Sequence, residues 1–130
     1  MKRIHIHLHS SDLATARDFY TRLLGAEPTR VKDDYLQWRL DDPAINLAIT
    51  QGSEPGVGHL GLDLQDSASL LQIRDRVGQT PTQRAEAGVA CCYRRSDKVW
   101  YADPDGISWE TFHSFGHAAQ LAPLEASCCG

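Results

Sequence analysis

Two stretches of the chain answer each other at a fixed interval. HIHLHSSDLATARDFYTRLL opens at His5 and HLGLDLQDSASLLQIRDRVG opens at His59, 54 residues later. Asp12 and Asp66 keep that offset, and so do Arg22 and Arg76. Each stretch reads as a strand running into a helix, with the aspartate where a carboxylate caps exposed backbone N–H groups. Leu13, Ala16, Phe19, Tyr20, Leu23 and Leu24 recur at helical spacing in the first, and Leu70, Ile73 and Val77 more weakly in the second. Matched offsets of this kind point to one supersecondary unit used twice.

Short β-rich runs follow each helix: YLQWRL and AINLAIT in the first half, CCYRR, KVWYAD and ISWETF in the second. Asp42-Pro43 and Asp103-Pro104 precede the last strand of each half as turn signals. The implied unit is βαβββ, giving an α+β fold of two modules, about 1–52 and 57–115. Ser53 to Gly58, rich in glycine and proline, reads as the linker between them. The tail from 116 to 130 has no clear period and is expected to be partly mobile.

Composition narrows the partners. A chain of 130 residues with 42% hydrophobic and 23% charged residues fits one compact soluble domain. A formal net charge of −4 gives no electrostatic case for nucleic acid, and no basic run addresses an anionic membrane. No apolar stretch reaches bilayer-spanning length, and MKRIHIHLHS is not a secretory signal. The expected location is cytoplasmic, with the four cysteines free or metal-bound rather than in disulfides.

In the first strand Ile4, Ile6 and Leu8 share one face, and His5, His7 and His9 share the other. His5 has a repeat partner in His59, and a duplicated fold brings matching positions together across a pseudo-twofold axis. His7 and His9 have no such partner and read equally well as a solvent-facing edge. Glu110 alternates into ISWETF, where a mid-strand carboxylate is costly to bury unless it is paired or metal-bound. Its counterpart in the first module is Ala48, which binds nothing. The scaffold therefore offers His5, His59 and Glu110 as metal ligands, a set suited to non-haem Fe(II) with open positions and compatible with Zn(II) or Mn(II). Cys91 and Cys92 are adjacent, as are Cys128 and Cys129. Such pairs are soft chelates for Cd(II), Cu(I), Zn(II) or trivalent arsenic, although an adjacent pair in a strand also reads as two small buried hydrophobes.

Taken together, the His-strand followed by DLATARDFYTRLLGAEP, GVGHLGLDL and DPDGISWETF resemble the vicinal oxygen chelate superfamily over about residues 1–115. In that superfamily paired βαβββ units cup a divalent metal. The block CCYRRSDKVWYADPDGISWE is similar to the carbon–arsenic lyase and cadmium-induced proteins of the superfamily, which carry a vicinal Cys pair before D-K-V-W. A Cys-Cys near the C-terminus is also similar to members of that group. They tend to carry Gln where this chain has His5, the more usual superfamily ligand there.

The resemblance implies an Fe(II)-dependent, dioxygen-consuming cleavage of the carbon–arsenic bond in trivalent organoarsenicals such as methylarsenite, with aromatic arsenicals as further substrates. By position it implies His5, His59 and Glu110 as metal ligands, and Cys91 and Cys92 as the arsenic-binding pair. Lys98, in the matched block, and the Arg94-Arg95 pair are cations close in sequence to the thiols, and nearby cations favour thiolate. Trp100, Tyr101 and Trp109 read as core aromatics that also have the size to line a substrate cup. Two rival readings differ in class. One is a cadmium- or arsenite-binding protein without turnover, and the other is a different metal-dependent superfamily chemistry such as thiol transfer to fosfomycin. Glyoxalase-type isomerisation lacks its fourth ligand at Ala48. The chain is expected to act as a monomer or homodimer.

Overall fold

The computed structural model describes residues 1–78, 83–91 and 94–117, with backbone alone at 89–91, 94, 116 and 117. The chain runs β1 (Arg3–Ser10), α1 (Leu13–Leu24), β2 (Arg30–Lys32), β3 (Tyr35–Asp41), β4 (Ala44–Gln51), β5 (Gly56–Asp63), α2 (Ser67–Val77), β6 (Arg84–Cys91), β7 (Arg94–Ala102) and β8 (Ser108–His117). This is βαβββ twice. All the strands join one mixed sheet in the order β2-β3-β4-β1-β5-β8-β7-β6, which maps onto itself when the two modules are exchanged.

The helices start where the aspartates place them. Asp12 accepts a hydrogen bond from the Thr15 N–H, and Asp66 accepts one from the Ser69 N–H. Gly25, at φ 69, ends α1 in the left-handed conformation that glycine adopts without a Cβ penalty. Leu13, Ala16, Tyr20 and Leu24 of α1 pack on Leu36, Trp38, Leu47 and Ile49, while Phe19 and Leu23 stay exposed. The equivalent cluster under α2 is Leu64, Leu70, Ile73, Val99 and Tyr101. Each fully buried large apolar side chain contributes about 1.5–3 kcal/mol. Both cores lie on the helix side of the sheet, and the opposite face gathers most of the buried polar side chains beside Tyr35, Trp100 and Phe112.

Three strand expectations are corrected. CCYRR is not a strand of its own: Cys91 ends β6, Arg94 begins β7, and the two are register partners. The strand before it is RAEAGVAC, poor in β-formers and held by pairing with β7. In the first module the short β2, RVK, pairs with β3 and supplies the strand that the apolar runs did not reveal. The linker is also shorter than Ser53–Gly58, because β5 already begins at Gly56. The tail beyond 117, with Cys128 and Cys129, lies outside the described residues.

Candidate metal centre

The site is built where the two modules meet. β1 and β5 pair antiparallel, with His5 opposite Gly61 and His7 opposite His59. This pairing is its own image under the internal repeat, since His5 corresponds to His59 and His7 to Gly61. A register shift between His7 and Leu8 leaves Gly58 as the extra β5 residue. On the flanks, β8 lies parallel to β5 with Glu110 opposite Gly61, and β4 lies parallel to β1 with Ala48 opposite His7. The register thus puts Ala48 at the position related to Glu110.

Strand alternation sends His5, His59 and Glu110 to the polar face, and all are buried. His5 Nε2 lies 3.3 Å from His59 Nε2. Glu110 Oε1 lies 3.4 Å from each of those nitrogens. Bonds of about 2.1 Å to a common ion would put neighbouring donors about 3.0–3.4 Å apart. The three atoms therefore already have the spacing of one face of a coordination sphere, and the donor set fits a first-row divalent metal.

The surroundings hold His5 and Glu110 in their binding forms. The His5 Nδ1–H donates to the backbone carbonyl of Asn46 at 3.0 Å, which fixes the tautomer and leaves the Nε2 lone pair facing the other donors. Burial pushes the His5 imidazole below its ordinary pKa, and the Glu110 charge only partly offsets this, so the ring is neutral at neutral pH. Burial alone would raise the Glu110 carboxyl. The Lys98 ammonium, the His59 hydrogen bond and the charges of His5 and His59 together outweigh it, and the carboxyl sits well below the usual carboxylate range. Lys98 Nζ reaches Glu110 Oε2 at 2.6 Å, so one carboxylate oxygen faces the imidazoles and the other the ammonium. Lys98 also lies over the Trp100 and Phe112 rings.

A small cup of about 30 Å³ lies in front of this cluster, lined by His5, Gln37, Asn46, Asp63, Lys98 and Glu110. One wall is a hydrogen-bonded chain from the first module to Asp63 of the second. Gln37 Nε2 donates to Asn46 Oδ1 at 3.0 Å, and Asn46 Nδ2 and Arg39 Nε both donate to Asp63 Oδ2, at 3.0 and 2.9 Å. Sequence reasoning did not single out these residues. Their signal is parity: in YLQWRL the residues Gln37 and Arg39 alternate with Leu36, Trp38 and Leu40, so the strand has a polar face as well as a core face.

His7, read beforehand equally as a solvent-facing residue, is fully buried, while His9 is half-buried. Trp100 faces the cup, with its ring edge against His59 at a centroid distance of 4.9 Å. Tyr101 belongs to the core under α2, and Trp109 is half-buried. Lys98 pairs with Glu110, and Arg94 and Arg95 belong to β7. The Cys91 backbone ends β6; its side chain and Cys92 lie outside the described residues. His5, His59 and Glu110 all come from one chain. No helix among the described residues is long and apolar enough to cross a membrane.

Known proteins resemble this chain in sequence and in fold. The chain is 31% identical over 99% of its length, and 83% of the relative's, to a trivalent organoarsenical cleaving enzyme of Bacillus sp. (strain MD1). It is 32% identical, over 86% of its length and 76% of the relative's, to the cadmium-induced protein CadI of Mycobacterium tuberculosis. Among solved structures, homoprotocatechuate 2,3-dioxygenase from B. fuscum superimposes with a TM-score of 0.68 at 20% identity, over 93% of this chain and 34% of that one. That likeness is one of fold, and this chain spans about a third of the dioxygenase's length. The model of the Glyoxalase/Bleomycin resistance protein/Dioxygenase superfamily matches residues 2–111, and this chain belongs to that superfamily.

Proposed function

We propose that this chain is an Fe(II)-dependent enzyme that cleaves the carbon–arsenic bond of trivalent organoarsenicals, releasing arsenite. One observation carries the reading: His5 Nε2, His59 Nε2 and Glu110 Oε1 converge at 3.3–3.4 Å in an open cup of a chain that also carries the adjacent thiols Cys91 and Cys92. The relatives named for organoarsenical cleavage support the same substrate class. Iron held by His5, His59 and Glu110 would supply activation of dioxygen, the oxidant of the scission: methylarsenous acid and dioxygen balance to formaldehyde and arsenous acid, with carbon oxidised and arsenic left trivalent.

The chain's own groups have separable tasks. Lys98 keeps Glu110 ionised in a buried setting, and the Asn46 carbonyl keeps His5 presenting Nε2. Trp100 packs its ring edge against His59 and steadies that imidazole. Cys91 and Cys92 bind trivalent arsenic as a thiolate chelate and hold its organic substituent toward the cup, so that positioning lowers the barrier. The pair also supports a second reading, a cadmium- or arsenite-sequestering protein without turnover, which the cadmium-induced relative favours.

Anaerobic loading with Fe(II), addition of methylarsenite and exposure to air separates the two. The expected result is stoichiometric loss of methylarsenite with arsenite appearing, abolished in Glu110→Ala. In Cys91→Ser the iron content should persist while turnover at low substrate falls by about a hundredfold, as for loss of a positioned reactant. Full arsenite release by Glu110→Ala would sink the iron reading, and tight arsenite binding with no turnover would establish sequestration.

A further inference from the structure

His7 has no part in that reaction, yet it is the most buried imidazole among the described residues. It stands directly opposite His59 in the β1–β5 ladder, at a ring-centroid distance of 4.8 Å, and it meets His5 edge-to-face at 6.0 Å. One donor nitrogen each from His5, His7 and His59 lies within 4.8 Å of the others. Thr50, from β4, holds His7 Nε2 at 2.6 Å. His7 Nδ1 is buried with no hydrogen-bond partner, and so is His59 Nδ1. A buried ring nitrogen without a partner is costly unless a ligand completes it.

From this geometry we propose a second metal-binding mode, in which His5, His7 and His59 together hold Zn(II) or a similar imidazole-seeking divalent ion in place of the two-histidine, one-carboxylate set. The chemistry of the donors supports it. Three neutral imidazoles with an open fourth position form a familiar zinc set. When Thr50 Oγ1 accepts the His7 Nε2–H, the Nδ1 lone pair is left for the ion, just as the Asn46 carbonyl leaves the Nε2 lone pair of His5. Glu110 need not move, because Lys98 already satisfies one of its oxygens. The register explains why this chain alone of its two halves can do so: the position matching His7 in the second module is Gly61, where a Cβ would strike the Glu110 carbonyl. Because the mode shares His5 and His59 with the proposed iron triad, zinc seated there excludes iron.

The test needs no turnover. The full-length chain, with its four cysteines replaced by serine so that thiols do not compete, is stripped of metal and titrated with Zn(II). Long-range ¹H–¹⁵N spectra then report each imidazole, and a chromophoric chelator reports affinity by competition. Zinc should shift one ring nitrogen in each of His5, His7 and His59, and should still do so in Glu110→Gln. His7→Asn should bind zinc about tenfold more weakly or worse, and Thr50→Val a few-fold more weakly, as expected when a ligand or its orienting partner is lost. Zinc that shifts His5 and His59 but leaves His7 unmoved overturns the proposal, and so does unchanged affinity in folded His7→Asn. Should His7→Asn fail to fold, the His7 resonances of the unsubstituted ring decide alone. Arsenite release is a separate readout, so failure here and failure of the arsenical reading are told apart.

Discussion

At the scale of single residues, the Lys98–Glu110 contact sets the character of the site. Both side chains are almost wholly buried, and a carboxylate so placed is tolerable only because an ammonium sits 2.6 Å away. Lys98→Met keeps the volume and removes the charge. It should destabilise the metal-free protein by about 3 kcal/mol at neutral pH, the usual cost of stranding one partner of a buried pair, read from the denaturant midpoint. Loss below about 1 kcal/mol, within the range of an exposed pair, would mean that the ion pair is solvated. The sequence disclosed Glu110 because a carboxylate among Ile107, Trp109 and Thr111 is conspicuous. It did not disclose the partner. Lys98 reads as one cation among Arg94 and Arg95 until the β7–β8 register sets Trp100 opposite Glu110 and brings Lys98 alongside. His7 was ambiguous for a related reason. Alternation gives its face but not which face the sheet curves around.

At the scale of elements, the helix starts were the clearest feature of the chain, because a cap needs only local spacing. Hydrogen bonds from the Thr15 side chain and backbone lower the Asp12 carboxyl, and bonds from the Ser69 backbone and side chain lower Asp66. A depressed acid lends stability above its unfolded pKa and loses it as the pH falls through the folded value. Asp12→Ala should therefore lower the melting midpoint by about 2–5 °C at neutral pH. The gap should narrow as the pH drops below about 4. A gap that stays constant down to pH 2 would remove the carboxylate from the explanation. Close approach between strands makes a harsher demand. A Cβ at Gly61 would land on the backbone of Glu110, whereas one at Gly58 would meet chiefly the movable His9 ring, 2.7 Å from Nε2, with the His7 carbonyl at 3.3 Å. Gly61→Ala should cost about 3 kcal/mol and weaken metal binding, while Gly58→Ala lets His9 swing and costs under about 1 kcal/mol. Equal losses would show that the β5–β8 seam yields. Such contacts are tertiary, and so are β2 and β6: three residues of RVK and the Ala- and Gly-rich RAEAGVAC become strands only beside β3 and β7.

At the scale of the whole molecule, duplication is what made the site legible. Matching His5 to His59 predicted that the two histidines meet across a pseudo-twofold axis, and the β1–β5 pairing in a self-similar strand order realises it. Divergence between the copies then supplies the asymmetry: Ala48 against Glu110, and His7 against Gly61. One consequence separates this arrangement from a site shared between swapped chains. His5, His59 and Glu110 lie on β1, β5 and β8 of the same chain, within 3.3–3.4 Å of one another. Two defective chains, His5→Ala and Glu110→Ala, each lack a ligand in every copy of such a site. Mixed under refolding conditions, they should recover no metal-loaded sites above the sum of the separate samples, as measured by iron content per chain. In a swapped dimer, where the two modules of a site come from different chains, random pairing would restore about one site in four, since half the dimers are mixed and each carries one intact set. Recovery near that fraction would assign the centre to the dimer, and none at all would assign it to the single chain.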